Sequence, residues 1–392
     1  MIFRKEQVTG EAENHLSDYA GSSPVCLFDI ETTGLSRRGT SLYMIGAISR
    51  ENDRWMLRQW FLDSPVEEKV LLKDFSAFLS EIRKSSSEQP VLVHFNGDTF
   101  DIPYVRYKCS VYRLPDPFEG FGNTDLFRRL SPYRSIFGLT KMRQKDLEQF
   151  CGVSRQDEMD GGRLIDVYKE FLESKDRALE ELLFLHNHDD VTGMAGLLPL
   201  LSVPDFFENR PENFRAEQAD DVLRFYLRPR RDFPSSVSEK IFPMTAWFVK
   251  SKNRHAGRGN QDPVNPDSPA VPGLQLELKG EELLLTVPLA AGTMKHFFRD
   301  YKNYYYLPEE DQAIHKDIAV YTDPDHREKA KPATCYQKKE GIFCPELSEQ
   351  IEPVFYTDYR SWPPYFMPEE SFLSDGEAVA GYLSEILSLF LR

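Results

Sequence analysis

The sequence lacks the features that mark several common classes of protein. It contains no stretch of about 18 or more consecutive apolar residues, which a membrane-spanning helix needs, and its first 21 residues have no continuous apolar segment typical of an export signal. Its five cysteines form no Cys-x-x-Cys pair, so neither a disulfide framework nor a zinc knuckle is indicated. We therefore expect reduced thiols, a cytoplasmic location and no membrane partner.

Positive charge is also scarce. The 392 residues include 48 Lys and Arg against 63 Asp and Glu, which gives a net charge of −15. A protein that coats nucleic acid by electrostatic attraction needs clustered basic residues that neutralise phosphates. The charge balance argues against that class, but it is compatible with an enzyme that meets phosphates through metal bound by carboxylates.

The length and the change of texture along the chain predict two domains. Strand patterns followed by helical patterns indicate an α/β fold in the first part, with a mixed sheet flanked by helices. Short apolar runs rich in aromatics and prolines predict a smaller β-rich domain after it. We expect an N-terminal extension over 1–21, the α/β domain over 22–201, a β-rich C-terminal domain of unknown role over 205–392, and a flexible loop near 250–273.

The clearest local patterns lie in the first domain and predict three antiparallel strands, then a helix, a further strand and a long helix. They cover residues 24–31, 41–50, 54–62, 67–84, 90–95 and about 176–200, in that order.

Two carboxylates close the first predicted strand, in the sequence FDIETTGL at 28–35. Alternate side chains of a strand share a face, so Asp29 and Glu31 project the same way while Ile30 points into the core. Adjacent carboxylates repel unless a cation lies between them, and hard divalent ions prefer oxygen ligands. The pair indicates either a metal site or a strand end that only exposes two acids.

A third acid follows the predicted strand at 90–95, in the sequence HFNGDTFDIPYV. The strand delivers Asn96 and Gly97 at its end, and Phe100 and Asp101 then open a helix. Asp101 is either a further acid of the same site or an ordinary acid that complements the helix dipole.

The sequence LHNHDDVTGM at 185–194 places His186 and Asp190 one helical turn apart on an otherwise apolar stripe. Burying an unpaired carboxylate is costly, so Asp190 needs a partner. A metal shared with the other acids would supply one, and an ion pair with His186 is the alternative. The helical phase favours His186 over His188 without excluding the latter.

Taken together, D-x-E-T-T-G-L, N-G-x-x-F-D and H-x-x-x-D resemble the three motifs of the DEDD (DnaQ-like) 3′→5′ exonucleases in the ribonuclease H-like superfamily. The chain resembles most closely the bacterial YprB-like, RNase_H_2 group, over roughly residues 22–201. The resemblance implies a ribonuclease H-like fold and hydrolysis of phosphodiester bonds at the single-stranded 3′ end of DNA or RNA. Protein partners are not indicated.

The resemblance also implies the roles of five catalytic residues. Asp29, Glu31, Asp101 and Asp190 would bind two divalent metal ions, Mg²⁺ or Mn²⁺, about 4 Å apart. His186 would be the base that deprotonates the attacking water. The family's histidine subgroup has the spacing H-x4-D and its tyrosine subgroup Y-x3-D, so His186 stands at the tyrosine-like position.

Four further residues would contact the terminal nucleotide by the same resemblance: Thr32, Leu35, Asn96 and Phe100. Backbone and hydroxyl groups near Thr32 would meet the 3′ end, while Leu35 and Phe100 would brace the last base. For Leu35 and Phe100 an ordinary place in the core is the alternative.

Other functions and a role for the second domain stay open at this point. A nucleic-acid-binding protein without turnover and a structure-specific endonuclease are both compatible with the motifs. The segment 299–317 interleaves Tyr301, Tyr304, Tyr305 and Tyr306 with basic residues, which fits either a guide for single strands or tyrosines that pack on a sheet.

Overall fold

The computed structural model describes residues 1–157, 159, 161–219, 221–247 and 273–391. The chain forms two compact units, of which the first comprises Met1–Pro204 with Phe233–Lys240 and the second Asp205–Asp232 with Ile241–Arg392. The loop expected near 250–273 lies, except for its last residue, outside the described residues.

The first unit contains the following strands and helices. The strands are β1 (Ile2–Gln7), β2 (Val25–Thr32), β3 (Leu42–Glu51), β4 (Arg54–Phe61), β5 (Val91–His94) and β6 (Gly122–Asp125). The helices are α1 (Glu11–Ala20), α2 (Glu68–Lys84), α3 (Asp101–Val111), α4 (Leu126–Leu130), α5 (Gln144–Cys151), α6 (Gly161–Ser174) and α7 (Arg177–Leu197). Helices α8 (Ser202–Glu208) and α9 (Ser235–Ile241) lie where the chain passes between the units.

The described strands of this unit form a six-stranded sheet in the order β1-β4-β3-β2-β5-β6. Strand β3 is antiparallel to both β2 and β4, as predicted. Strand β5 is parallel to β2, and β6 is parallel to β5. Helix α2 packs on β3 and β4, and α7 packs on β2, β3 and β4. The predicted mixed sheet flanked by helices is therefore confirmed.

The helical period of α2 explains how it covers the sheet. Its side chains Leu71, Phe75, Phe78 and Leu79 are buried, and Phe75 and Phe78 lie with their ring centroids 5.8 Å and 5.3 Å from that of Trp60 on β4. Burial of each such side chain stabilises the fold by about 1.5–3 kcal/mol.

Residues 1–21 are part of this sheet unit, which corrects the expected separate extension. Strand β1 pairs with β4 along its whole length, from Ile2 opposite Phe61 to Gln7 opposite Met56, and α1 packs on α7. The sequence of β1, IFRKEQ, gave no strand prediction because an edge strand needs few buried side chains and carries charged residues that discourage further pairing.

Strand β6 was also missed. Its sequence, GNTD, contains glycine, asparagine and aspartate, which are depleted in strands, and pairing with β5 holds it extended. Its last residue, Asp125, caps α4 by accepting a hydrogen bond from the backbone N–H of Arg128.

The second unit is β-rich, as predicted. Its strands are β7 (Phe214–Gln218), β8 (Val222–Leu227), β9 (Met244–Ala246), β10 (Leu274–Lys279), β11 (Glu282–Pro288), β12 (Ala290–Phe297), β13 (Tyr304–Leu307), β14 (Gln312–His315), β15 (Glu328–Lys329), β16 (Tyr336–Pro345) and β17 (Tyr365–Phe366). The helices are α10 (Lys316–Ala319), α11 (Glu370–Leu373) and α12 (Gly376–Leu387).

These strands form three sheets within the described residues, with the orders β7-β8-β11-β10-β9, β12-β16-β17 and β14-β13-β15. The final helix predicted near 376–391 is α12, which continues into a short 3-10 turn. All five cysteines are free. Across the described part of the chain, no helix combines the length and the apolar character that spanning a membrane requires.

Candidate active site

The first two acids of the site stand at the carboxyl end of β2. Asp29 lies opposite Gly46 of β3, and Glu31 lies opposite Met44 on the same strand. The pairing shifts register between Glu31 and Thr32. Such an irregularity bends a strand and redirects its side chains, and it is common beside functional sites. Both carboxylates share one face of the sheet, as the alternation of the sequence predicted.

Helix α7 approaches this face closely because Gly46 has no side chain. A Cβ atom at position 46 would lie 2.2 Å from Asn187 Oδ1 and 2.8 Å from Val191 Cγ2. Asn187 is fully buried, donates from Nδ2 to Asp29 Oδ2 over 3.3 Å, and accepts from Gln59 Nε2 over 3.0 Å. The amide of Asn187 therefore orients the Asp29 carboxylate, a contact that the sequence motifs did not indicate.

His186 lies between three carboxylates. Its Nε2 is 3.1 Å from Asp190 Oδ2 and 3.6 Å from Glu31 Oε1, while its Nδ1 is 2.5 Å from Asp157 Oδ2. Ligand atoms of Glu31, His186 and Asp190 lie within 4.8 Å of one another. The structure thus brings together residues from the first and third motifs.

Arg155 is a second cation at this place. Its Nη2 forms a very short hydrogen bond to Asp190 Oδ1, and its Nη1 lies 2.9 Å from Glu148 Oε2. Glu148 is buried, and Gly193 of α7 leaves room for it, because a Cβ there would lie 2.0 Å from Glu148 Oε1. Arg155 and His186 together balance the charge of Asp190.

Asp189 anchors the segment that carries Arg155 and Asp157. Its Oδ2 accepts hydrogen bonds from the backbone N–H groups of Gln156, over 2.7 Å, and of Asp157, over 2.8 Å. His188 points elsewhere, with Nε2 3.3 Å from Glu6 and Nδ1 3.1 Å from Asp189. Asp189 is therefore a structural support for the site, and His188 is directed away from its acids.

Neither a motif nor a periodic pattern in the sequence indicated Arg155 and Asp157. Both lie in a segment without regular secondary structure, where no periodicity predicts which side chains point inward. The single available hint is the acid next to Asp190, since a buried carboxylate needs donors and its neighbours in space supply them.

Burial and mutual repulsion shift the pKa values of the acids. Burial raises the pKa of Asp29 well above its usual value, and the charges of Glu31, Asp101 and Asp190 add to the rise. Burial also raises the pKa of Glu31 to about 8, although the charge of His186 opposes it. For Asp101 burial raises the pKa to about 7, against hydrogen bonds from the backbone of Asp101 and Ile30.

The opposite shifts occur where cations are close. Burial alone would raise the pKa of Asp190, but hydrogen bonds from His186 and Arg155 hold it below its usual value. Burial would lower the pKa of His186, but the bond to Asp190 and the charge of Glu31 raise it to about 9. Without metal, His186 is therefore protonated at neutral pH and acts as a cation among the acids.

An open cavity of about 370 Å³ exposes part of this cluster. Its lining includes Asp29, Glu31, His186 and Asp190 together with Arg143, Gln144 and Lys145. Asp101 is outside that set of residues, although its charge acts on Asp29 and Glu31. Asp29, Glu31 and Asp190 supply three carboxylates to this lining. Carboxylate oxygens fit hard divalent cations such as Mg²⁺ and Mn²⁺.

The residues expected at the terminal nucleotide lie at the end of β2 and on the loops after β2 and β5. Leu35 is 87% exposed, which rules out the core as its place. Phe100 is half-buried with its ring centroid 5.6 Å from that of Tyr104. Thr32 Oγ1 donates to the carbonyl oxygen of Gly34, and Asn96 Oδ1 accepts from Thr99. Their contact with a nucleotide stays a prediction.

The raised pKa values predict that the metal-free protein loses stability as pH rises. An acid whose pKa is higher in the folded than in the unfolded state makes its full contribution to stability when the pH is below its unfolded pKa, here near 4. That contribution is lost as the pH rises through the folded pKa, which is about 7 for Asp101 and about 8 for Glu31. Thermal unfolding in EDTA should therefore show a midpoint that falls between about pH 5 and pH 8. The Glu31→Gln variant should show a shallower fall, and an unchanged slope would contradict the shifts.

The contact between Asp157 and His186 allows a test of the site geometry by mutation. Asp157→Asn keeps the shape of the side chain but removes the charge beside His186 Nδ1, so His186 is held less well. We expect hydrolysis of nucleic acid to slow by about ten- to a hundredfold, as for other residues that orient a functional histidine. The pH–rate profile should also move to lower pH, because the lost charge lowers the pKa of His186. A purely structural role would change thermal stability without moving the profile.

Comparison with known families decides the fold of this unit. Residues 26–202 match the family RNase_H_2, described as RNase_H superfamily. Over this segment the chain is similar to the RNase H superfamily. The matched segment runs from β2 to the start of α8 and includes all five residues expected to be catalytic. The ribonuclease H-like fold and the RNase_H_2 resemblance are confirmed.

Solved structures with partial similarity include several exonucleases I. Exonuclease I from Methylocaldum szegediense is 18% identical over 41% of this chain and 42% of its own, with a TM-score of 0.27. Escherichia coli exonuclease I in complex with a dA16 oligonucleotide is 16% identical over 42% and 44%, with a TM-score of 0.26. The match thus spans less than half of the length of these proteins. No curated protein matches the chain.

Proposed function

We propose that the RNase H-like domain is a metal-dependent nuclease that removes nucleotides from the 3′ end of single-stranded DNA or RNA. The observation that carries this proposal is the convergence of Asp29, Glu31 and Asp190 on one open cavity beside His186, with the charge of Asp101 acting on them. The match of residues 26–202 to the RNase H superfamily supports a nuclease, and the order of the motifs supports the 3′→5′ direction.

Repulsion between the acids supports a role for bound cations. Asp29, Glu31 and Asp101 all have raised pKa values, and the charge of Asp101 acts on both Asp29 and Glu31. Such repulsion between carboxylates is relieved when a cation binds between them. Asp29, Glu31, Asp101 and Asp190 are the residues that would hold two divalent ions. Such ions lower the pKa of a bound water and stabilise the oxygen that leaves the phosphorus.

The chain's own residues would orient the reaction. Asn187 fixes the carboxylate of Asp29, and Gln144 donates from Nε2 to the carbonyl oxygen of Asp190 over 2.7 Å, which fixes the backbone at that residue. Asp157 holds the ring of His186, whose Nε2 faces the acids. Once the negative charge of Glu31 and Asp190 is compensated, the pKa of His186 falls and Nε2 becomes able to accept a proton from the attacking water.

Basic side chains beside the cavity would receive the phosphate backbone. Arg143 and Lys145 line the cavity with the acids, and Arg143 has a 68% exposed side chain that is paired with Asp146. Leu35 and Phe100, on neighbouring loops, would contact the terminal base, and Thr32 and Asn96 would contact its sugar and phosphate.

The direction of attack is tested by the topology of the substrate. A linear strand labelled at its 5′ end should shorten stepwise, and the label should stay on the progressively shorter strand. A covalently closed circle of the same sequence should stay intact. Cleavage of the circle would instead identify an endonuclease. Tight binding of the linear strand without any cleavage at any divalent ion would identify a binding protein without turnover.

A further inference from the structure

The second unit contains a cavity that the nuclease proposal does not use. It has a volume of about 760 Å³, within the range of sites that bind small molecules or single nucleotides. Its walls are the end of β12 with the residues that follow it and the segment 349–362, and its lining includes Phe297, Phe298, Tyr301, Tyr356, Tyr359 and Trp362. Six aromatic side chains around one opening are an unusual concentration of planar surface.

The walls of this aromatic cavity are held by backbone and side-chain hydrogen bonds. Lys295 and Tyr356 exchange two backbone bonds of 2.9 Å, and His296 Nδ1 lies 2.7 Å from the carbonyl oxygen of Val354. A turn between Asp358 and Ser361, closed by bonds of 2.9 Å and 3.1 Å, fixes the residues that precede Trp362. These bonds hold the walls of the cavity in place, which lowers the entropic cost of binding a ligand.

The arrangement of the rings leaves flat surfaces available. Phe297 meets Tyr356 and Tyr359 edge to face, with centroids 5.9 Å and 5.4 Å apart. All three side chains are half-buried, so each still exposes part of its surface. The exposed parts of such half-buried rings can stack on a planar base.

Polar groups at the cavity match the remaining parts of a nucleotide. Trp362 lines the cavity, and its indole Nε1 is buried without a hydrogen-bond acceptor among the described residues. The guanidinium of Arg360 lies 5.1 Å from the centre of the Tyr359 ring. It can stack beside a base or contact a phosphate.

The balance of charge at the cavity favours a nucleotide over a ligand that is recognised by its negative charge alone. Arg299 and Arg360 are offset by Glu349 and Glu352, and Arg299 lies 3.9 Å from Glu352. With two residues of each sign, the cavity does not attract anions by net charge. Recognition must therefore come mainly from stacking and hydrogen bonds, which favours a planar base over a phosphopeptide or a polyanion.

We propose that this cavity binds one nucleotide unit, with its base between the aromatic side chains and its phosphate at Arg360. The choice of a nucleotide over other planar ligands rests on the proposed nuclease function of the same chain. The unit is either a free nucleoside monophosphate or a base within a single strand. Of the four tyrosines at 301–306, Tyr301 alone is among the residues that line the cavity, while Tyr304 stacks on Phe298 with centroids 4.6 Å apart.

Binding by the full-length protein in EDTA tests the proposal, because no strand is cut without divalent ions. Fluorescence anisotropy of a labelled oligothymidylate should give about tenfold weaker affinity for Tyr359→Leu, which keeps apolar contact with Phe297 but removes the ring. Arg360→Gln should weaken binding severalfold and reduce its salt dependence. Arg228→Gln is the matched control, since Arg228 pairs with Glu281 outside the cavity, and it should bind within twofold of the wild type.

Competition experiments distinguish the sources of the nucleotide. Displacement of the oligonucleotide by free nucleoside monophosphates, lost in Tyr359→Leu, indicates a free nucleotide, and displacement only by longer strands indicates a base within a strand. Both results support the site. Equal oligonucleotide affinity in Tyr359→Leu, Arg360→Gln and the wild type, at equal thermal stability, overturns it.

Two further outcomes separate this site from the nuclease proposal. Binding of a proline-rich peptide that depends on Tyr359, with no binding of oligonucleotide, overturns the nucleotide site and identifies a peptide groove. Ring-dependent oligonucleotide binding by a protein that never cleaves with Mg²⁺ or Mn²⁺ leaves the site standing and removes the nuclease. Cleavage by the wild type, with oligonucleotide binding unchanged in Tyr359→Leu and Arg360→Gln, removes the nucleotide site and leaves the nuclease proposal standing.

Discussion

Replacing Asp190 with asparagine should lower the rate of strand hydrolysis by more than about a hundredfold. Changes to residues that only support metal-binding side chains commonly cost about ten- to a hundredfold, and Asp190 would itself bind the metal. Its carboxylate is also the group that pairs with both His186 and Arg155. An asparagine side chain keeps the shape of the aspartate but has one oxygen and no charge. The measurement is the initial rate of release of nucleotides from an end-labelled strand with Mn²⁺.

The control for this variant is Asp166→Asn, which removes the same charge from an exposed side chain of α6. Among the contacts described, Asp166 pairs only with Lys169, over 3.0 Å. That protein should cut at the wild-type rate. Addition of Mn²⁺ should raise the thermal midpoint of the wild type and of Asp166→Asn, and raise that of Asp190→Asn much less. Wild-type hydrolysis by Asp190→Asn would mean that the acids do not form the active site.

Replacing His186 with alanine should slow hydrolysis by about 10²–10⁴-fold, whereas His188→Ala should slow it by less than about threefold. General acid–base groups contribute factors of that size, and His186 Nε2 faces Glu31 and Asp190. His188 lies on the same helix but bonds with Glu6 and Asp189 instead. The two variants remove the same side chain two residues apart, so each is the control for the other.

A second readout separates a proton-transfer role from a packing role for His186. His186→Gln retains a polar side chain of similar length and should recover folding stability without recovering the rate. Equal rates for His186→Ala and His188→Ala would contradict the assignment of the base. So would a rate that returns fully in His186→Gln.

The relative positions of Asp29 and Glu31, and of His186 and Asp190, were predictable because each pair follows from a local rule. Alternation along β2 placed Asp29 and Glu31 on one face, and helical spacing placed His186 and Asp190 on one side of α7. These rules act over a few residues, so the sequence alone determines them. The antiparallel strands β2 to β4 and the β-rich second unit also followed from such local patterns, since strands and helices differ in period.

The supporting residues were not predictable because they depend on contacts between distant segments. Asn187 reaches Asp29 only because Gly46 on β3 lets α7 come close. Arg155 and Asp157 reach the site only because Asp189 holds their segment by two backbone bonds. No periodicity or motif in the sequence predicts such contacts. The edge strand β1 and the short strand β6 were missed for the same reason, since pairing partners rather than their own sequences hold them extended.

Incubation of the purified protein with a 5′-labelled single strand and Mn²⁺ or Mg²⁺, beside an identical reaction in EDTA, tests the central claim most directly. The account predicts stepwise shortening from the 3′ end with release of nucleoside monophosphates, and no shortening in EDTA. A strand of DNA and a strand of RNA that both stay intact at every divalent ion would contradict it, as would equal shortening in EDTA.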